Sequence, residues 1–236
     1  MGAIRGSRYY TVVDGPRWEQ AEANARSLGG HLVSFGTKKE EKFVTNYVES
    51  VSREAWWWMG LEYDSSTSSM KWNNGEKYNY ENWYEGSGIK YPDVSIDLNH
   101  YKYTEFTADP GRNWAGAKPS DGQWAIALPT SSRRGVAEIP LSYFSISDAE
   151  VEEGEKGKIK ITRTGGTSTE QTLILATSDG SAVEGDDYKK KTKTITFAAG
   201  ETSKTVNIVT NEDINIESDE TIKLTLSASS GDVVPA

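Results

Sequence analysis

The sequence predicts two domains of different class: an α+β domain over residues 8–140, followed by an all-β sandwich over residues 141–236. Three observations predict this. All eight tryptophans lie between Trp18 and Trp124. Charge divides at the same place: from Leu141 onward 10 Lys and Arg stand against 17 Asp and Glu, and before it 16 stand against 18. Texture changes as well, from mixed helical and strand spacing to a Thr-, Ser- and Gly-rich run with alternating Val and Ile. The boundary falls near Ile139-Pro140.

Each element of the first domain has a local reason. Tyr9 to Val13 alternates weakly and reads as a first strand. Asp14-Gly15-Pro16 is a turn opening a helix, with Asp14 as its expected cap. Trp18, Ala21, Ala25 and Leu28 share one face at helical spacing, and Gly29-Gly30 ends the helix. Thr37 and Glu40 form a capping-box pair for a second helix, whose apolar face is Phe43, Val44, Tyr47, Val48 and Val51. The strand after it reads Trp56-Trp57-Trp58-Met59-Gly60-Leu61, with one of Trp56 and Trp57 expected at the surface. Met70-Lys71-Trp72 is a short strand that turns out through Asn73-Asn74-Gly75. From Tyr78 to Gly122 the chain is aromatic, polar and without period, a loop long enough to carry function. The domain closes with Gln123-Trp124 and a last strand through Gly135-Val136-Ala137-Glu138.

The second domain reads as strands throughout, at Leu141–Ser147, Lys158–Arg163, Thr172–Thr177, Lys193–Phe197, Lys204–Thr210 and Thr221–Leu226. Each alternates at period two between polar turns, the pattern of an antiparallel sandwich.

Composition narrows the partners. A net charge of -9 argues against nucleic acid, which demands a basic surface. Clustered carboxylates would instead suit a cation. No cysteine is present, which removes disulfides, thiolate metal sites and a cysteine nucleophile. No apolar run is long enough to cross a bilayer, so membrane insertion is not expected. Met1 to Ser7 lacks the apolar centre of a signal peptide and reads as a leader on a piece of a longer protein. His31 and His100 have no metal-type companions, and no nucleophile–base order appears, so no catalytic residue is expected.

Helix one running into Gly29-Gly30-His31-Leu32, followed by Trp58-Met59-Gly60-Leu61, Trp72-x-x-Gly75 and Asn82-Trp83, resembles a C-type lectin-like domain across Arg8–Pro140. The resemblance places Ala25 and Ala137 where the family has a disulfide pair, and so implies that the two side chains are close. Since animal members are normally disulfide-linked, it also implies a bacterial origin for this cysteine-free chain. In sugar-binding members of that family a Glu-Pro-Asn loop and a Trp-Asn-Asp strand chelate one calcium ion. Here the matching stretches read Glu85-Gly86-Ser87-Gly88 and Trp124-Ala125-Ile126. Alanine and isoleucine offer a metal no side-chain oxygen, so the primary sugar–calcium site is expected to be missing its ligands. The loop still offers Tyr84, Glu85, Tyr91, His100, Tyr101, Tyr103, Asn113 and Trp114. Of these, Tyr84, Glu85, Tyr101, Asn113 and Trp114 are the ligand-binding candidates. The aromatics either pack beneath the loop or present stacking surfaces to a partner. Trp18, Trp58, Trp72 and Trp124 are expected in the core.

The second half is similar to a Calx-beta domain, an immunoglobulin-like sandwich. The resemblance is carried by Val151-Glu152-Glu153-Gly154, Asp179-Gly180-Ser181-Ala182, Gly185-Asp186-Asp187-Tyr188, Ile195-x-Phe197-x-x-Gly200-Glu201, Asn211-Glu212-Asp213 and Glu217-x-x-Glu220. By position it implies calcium ligands at Glu153, Asp187, Asp213, Glu217 and Glu220, with Glu212 beside them. Carboxylates brought close together repel unless a cation neutralises them, although a solvated acidic edge that deters sheet pairing has the same composition. The family's closing strand and Asp-rich triplet have no counterpart before Ala236. The combined expectation is a non-enzymatic extracellular or cell-surface recognition module joined to a calcium-binding spacer. Its partner would be a cell-surface protein or a glycan.

Overall fold

A computed structural model describes residues 2–52, 54–84, 102–108, 122–127, 131–214 and 218–228. The chain divides into two compact units, Met1–Pro140 and Leu141–Ala236.

The first unit is built on β1 (Ala3–Arg5), β2 (Arg8–Val13), α1 (Trp18–Ser27), β3 (His31–Leu32), α2 (Lys38–Val51), β4 (Trp56–Asp64), β5 (Ser69–Trp72), β6 (Tyr103–Thr107), β7 (Trp124–Ala127) and β8 (Arg134–Pro140). Its strands form one sheet in the order β1-β2-β8-β4-β6-β7, with β3 on β8 and β5 on β4. The β4–β8 pair is parallel, and the other pairs are antiparallel.

Strand β4 separates two apolar clusters. Trp57, Met59 and Leu61 enter one, with Tyr10, Phe35, Val44, Trp72, Phe106 and Trp124. Trp58 enters the other, with Trp18, Ala21, Ala25, Leu32 and Ala137. This is the period-two alternation of a strand buried on both faces. Trp57 is fully buried and Trp56 half-buried. Ala25 and Ala137 are both fully buried in the same cluster.

Helix α1 begins without a side-chain cap: Arg17 is the N-cap, and no hydrogen bond from its side chain closes the first turn. The expected cap at Asp14 is therefore corrected. That residue is exposed, and its carbonyl accepts from Asn24 Nδ2 at 2.6 Å. Burial of Trp18, Ala21, Glu22 and Ala25 holds the helix instead. Gly30 lies so close to β8 that a Cβ there would stand 2.2 Å from the Glu138 carbonyl oxygen. In α2, Thr37 Oγ1 accepts from Glu40 N–H at 3.2 Å, as a capping box requires, while Glu40 Oε2 reaches past the cap to Gly36 N–H at 3.1 Å. Val51, expected on the apolar face, is exposed at the end of the helix.

Strand β6 falls inside the stretch read from sequence as loop, a second correction. Thr104, Glu105, Phe106 and Thr107 are all buried, so polar and apolar residues do not alternate along it. Tyr103, offered as a loop aromatic, stacks flat on Trp18 at 4.4 Å.

The second unit is a sandwich of β9 (Ser142–Ile146), β10 (Lys156–Gly165), β11 (Gln171–Asp179), β12 (Thr192–Phe197), β13 (Ser203–Val209) and β14 (Ile222–Ala228). One sheet runs β13-β10-β9, the other β12-β11-β14. Ile159, Ile161, Leu173, Leu175, Ile195, Phe197, Val206 and Ile208 fill the space between them. Arg163 is also buried in this unit. Its Nε donates to the Gly166 carbonyl at 2.9 Å and its Nη2 to the Thr169 carbonyl at 2.9 Å and Ser142 Oγ at 3.1 Å. Arg163→Ala removes this brace and opens a void, and should lower the stability of the second unit by roughly 3 kcal/mol. Chemical denaturation checks it.

Candidate functional site

In the first unit one stem ends at Tyr84 and a second begins at Gly122; between them the described residues are 102–108, which carry β6 of the sheet. The two stems grip each other: Tyr84 N–H donates to the Trp124 carbonyl at 3.0 Å, and Trp124 N–H donates to the Asn82 carbonyl at 2.9 Å. Beneath them lies an aromatic platform centred on Trp124. Its ring meets Trp83 at 5.6 Å, Trp72 at 5.7 Å and Tyr80 at 5.6 Å, all edge-on, and Phe35 at 6.0 Å. Trp83 Nε1 donates to the Tyr78 hydroxyl at 2.9 Å.

A buried glutamate under the platform joins it to α2. Glu41 Oε2 accepts from Trp124 Nε1 at 2.9 Å, and Oε1 accepts from Asn82 Nδ2 at 2.8 Å and the Tyr80 hydroxyl at 3.2 Å. Burial pushes the Glu41 carboxyl up to about 7, against the three donors that favour its ionised form. Two more buried glutamates behave alike. Glu105 pairs with Arg133 Nε at 2.8 Å, and Glu138 is bound by Arg8 and by the Ser34 N–H at 3.0 Å. Burial raises each to about 7. Glu22 gathers the Leu32 N–H at 2.8 Å, Arg26 Nε at 2.7 Å and His31 Nδ1 at 3.0 Å, so His31 has a structural setting.

Of the ligand candidates, Tyr84 is half-buried on the incoming stem. Glu85, Tyr101, Asn113 and Trp114, like Tyr91 and His100, lie outside the described residues. Ala125 and Ile126 sit half-buried in β7, opposite Glu105 and Thr104 of β6. Sequence reading passed over Glu41, although one signal was available: it precedes Val44 by three positions and Val48 by seven, on the buried face of α2.

In the second unit, three loops carrying the calcium candidates are tied together by backbone. Gly154 N–H donates to the Asn211 carbonyl at 3.2 Å, and Asn211 N–H to the Asp187 carbonyl at 2.8 Å. Glu153 and Glu212 are therefore neighbours of Asp187 along one rim, but their carboxylates do not converge. Asp187 Oδ2 accepts from its own loop, at the Val183 N–H, at 2.6 Å. Among the described residues no three acidic or imidazole groups approach closely enough to hold a metal ion. Asp213 and Glu220 have partners of their own, and Glu217 lies outside the described residues. The described rim does not by itself make a calcium cage. Among the described residues no helix is long and apolar enough to cross a membrane.

Comparison with known proteins agrees with both folds. A family model described as Lectin C-type domain matches residues 15–109, and one described as Calx-beta domain matches residues 138–235. One chain of the snaclec coagulation factor IX/factor X-binding protein of Echis carinatus is 40% identical over 83 residues, covering 34% of this chain and 66% of its own length. One chain of snaclec salmorin of Gloydius brevicauda is 32% identical over 108 residues, covering 43% and 70%. Galactose-specific lectin nattectin of Thalassophryne nattereri is 31% identical over 103 residues, covering 43% and 62%. The protein thus spans about two-thirds of the length of these curated relatives. All are animal proteins and give the expected bacterial origin no support. The chain belongs to the C-type lectin domain family through residues 15–109, and a Calx-beta domain follows.

Proposed function

We propose that this chain is a non-enzymatic extracellular recognition and adhesion protein. Its lectin-family unit recognises a protein or surface ligand through the residues that flank β6 between Tyr84 and Gly122, and its Calx-beta unit binds calcium and acts as a spacer. The observation that carries the protein-recognition reading is β7 itself. Where a sugar–calcium strand needs Asn-Asp, this strand has Ala125-Ile126, which lack any side-chain oxygen to share between metal and sugar. The relative from Echis carinatus, named for binding coagulation factors, supports a protein ligand as within the family's range. The expected result on a glycan array is no calcium-dependent signal; a calcium-dependent hit overturns the reading.

A second reading, calcium-dependent carbohydrate binding through a different set of loop residues, is favoured by the similarity to nattectin, named as galactose-specific, and by the half-buried Tyr84 beside the platform. The array separates the two.

Calcium in the second unit is tested on its own. A ligand that binds only the folded state raises the melting temperature. At a hundredfold excess over its dissociation constant, calcium should add about 2.7 kcal/mol. The rise should vanish in a Glu217→Gln/Glu220→Gln variant, and an unchanged melting curve for the parent chain sinks the metal assignment.

A further inference from the structure

Recognition by a surface carried on one segment depends on what fixes the ends of that segment. Among the described residues the two stems share two backbone hydrogen bonds, between Asn82–Tyr84 and Trp124, and the outgoing stem also pairs with β6. Glu41 adds the anchorage. From a helix, it reaches Tyr80 and Asn82 on the incoming stem and Trp124 on the outgoing one. Gly122 closes against the same carboxylate with φ at +78°, and a Cβ there would stand 2.5 Å from Glu41 Oε1. A single side chain, 3% exposed, therefore ties both stems to α2, beside the β6–β7 pairing that holds Trp124 in the sheet.

The donors around it are all neutral. Tyr80 on the incoming stem and Lys38 in the first turn of α2 are the titratable and charged groups that act on the carboxylate; the facing Gly122, Gln123 and Trp124 bring no charge. When Glu41 is ionised, three donors meet two acceptor oxygens and every bond is satisfied. When it is neutral, the carboxyl must donate one proton itself. An indole N–H and an amide NH2 group can only donate, whereas a phenol hydroxyl can turn and accept. Tyr80 is therefore the partner whose hydrogen bond reverses without loss.

We propose that Glu41 is a proton-responsive positioning residue, with Tyr80 as its reversing partner, so that the geometry of the two stems follows the protonation state of this one carboxyl. The change falls in the neutral range, because burial pushes the group up to about 7. The consequence for binding rests on the recognition reading above; the stem geometry does not.

The test follows the Trp124 indole N–H in the full chain by ¹⁵N-indole NMR between about pH 5 and pH 9, the window that brackets a buried carboxyl of this kind. The signal is assigned by its loss in Trp124→Phe. In the parent it should titrate once, near neutrality, and in Glu41→Gln it should stay fixed. In Tyr80→Phe it should still titrate with the midpoint displaced upward, since the charge-assisted bond lost by the ionised form is stronger than the neutral one lost by the protonated form. A signal that stays constant in the parent, or that moves identically in Glu41→Gln, overturns the proposal. An unchanged midpoint in Tyr80→Phe overturns the part given to Tyr80. If Glu41→Gln does not fold, the parent titration and the Tyr80→Phe arm still decide. A negative partner screen would strike the recognition reading and leave this readout untouched.

Discussion

Trp124→Ala should abolish the cooperative melting transition of the first unit, or lower it by roughly 15 °C or more, while leaving that of the second unit in place. The ring is fully buried and touches Phe35, Trp72, Tyr80 and Trp83, so its removal costs about 3–5 kcal/mol in lost packing and cavity. The lost indole donor also leaves Glu41 Oε2 buried without a partner, which adds about 1–3 kcal/mol. Together these approach the whole stability of an ordinary domain. The clusters of the two units share no residue, so the second transition should survive. Differential scanning calorimetry reads both. Trp124→Phe, which keeps most of the packing and loses only the donor, should fall between the variant and the parent.

The second large effect is an unusual pH dependence. Glu41, Glu105 and Glu138 are each raised by burial from an ordinary 4.5 to about 7. Because the folded value lies above the unfolded one, the folded state holds these protons more tightly. Their contribution is fully present below about pH 4.5 and is lost as pH rises through about 7. One group with such a shift accounts for about 3 kcal/mol. The first unit should therefore melt at a higher temperature near pH 5.5 than near pH 8, with most of the loss around neutrality. Asp64 is held well below the usual range by Ser66 and Lys71, so it opposes this trend only under strong acid. A melting temperature that is flat or rises between those two values would contradict the assignment of burial as the dominant cause.

The two classes of domain were legible in the sequence because their signals are local. Trp18, Ala21 and Ala25 repeat at helical spacing, and the second half alternates at period two over all six strands. Two things escaped. Strand β6 has no alternation, because both of its faces are covered and polar Thr104, Glu105 and Thr107 are buried beside Phe106. Asp14 sits in a motif that suits a cap, yet α1 starts at Trp18 and is held by packing instead. The site was less legible than the fold. Apolar residues announce burial by their type, whereas Glu41 looks like an ordinary solvent-facing helix residue until Trp124, eighty-three positions later, comes to rest on it. Its spacing with Val44 and Val48 marks the buried face of α2, but nothing local names the donors it collects from distant stems.

The edge-on Trp72, Trp83 and Trp124 rings have an optical consequence as well. Indole rings with centroids near 5.7 Å and planes steeply inclined to one another lie close enough for their transitions to couple as excitons. The circular dichroism spectrum should therefore carry a paired positive and negative indole band that ordinary secondary structure does not produce. With every tryptophan in the first unit, that couplet belongs to it alone, and its amplitude is a direct optical gauge of whether the stems are seated.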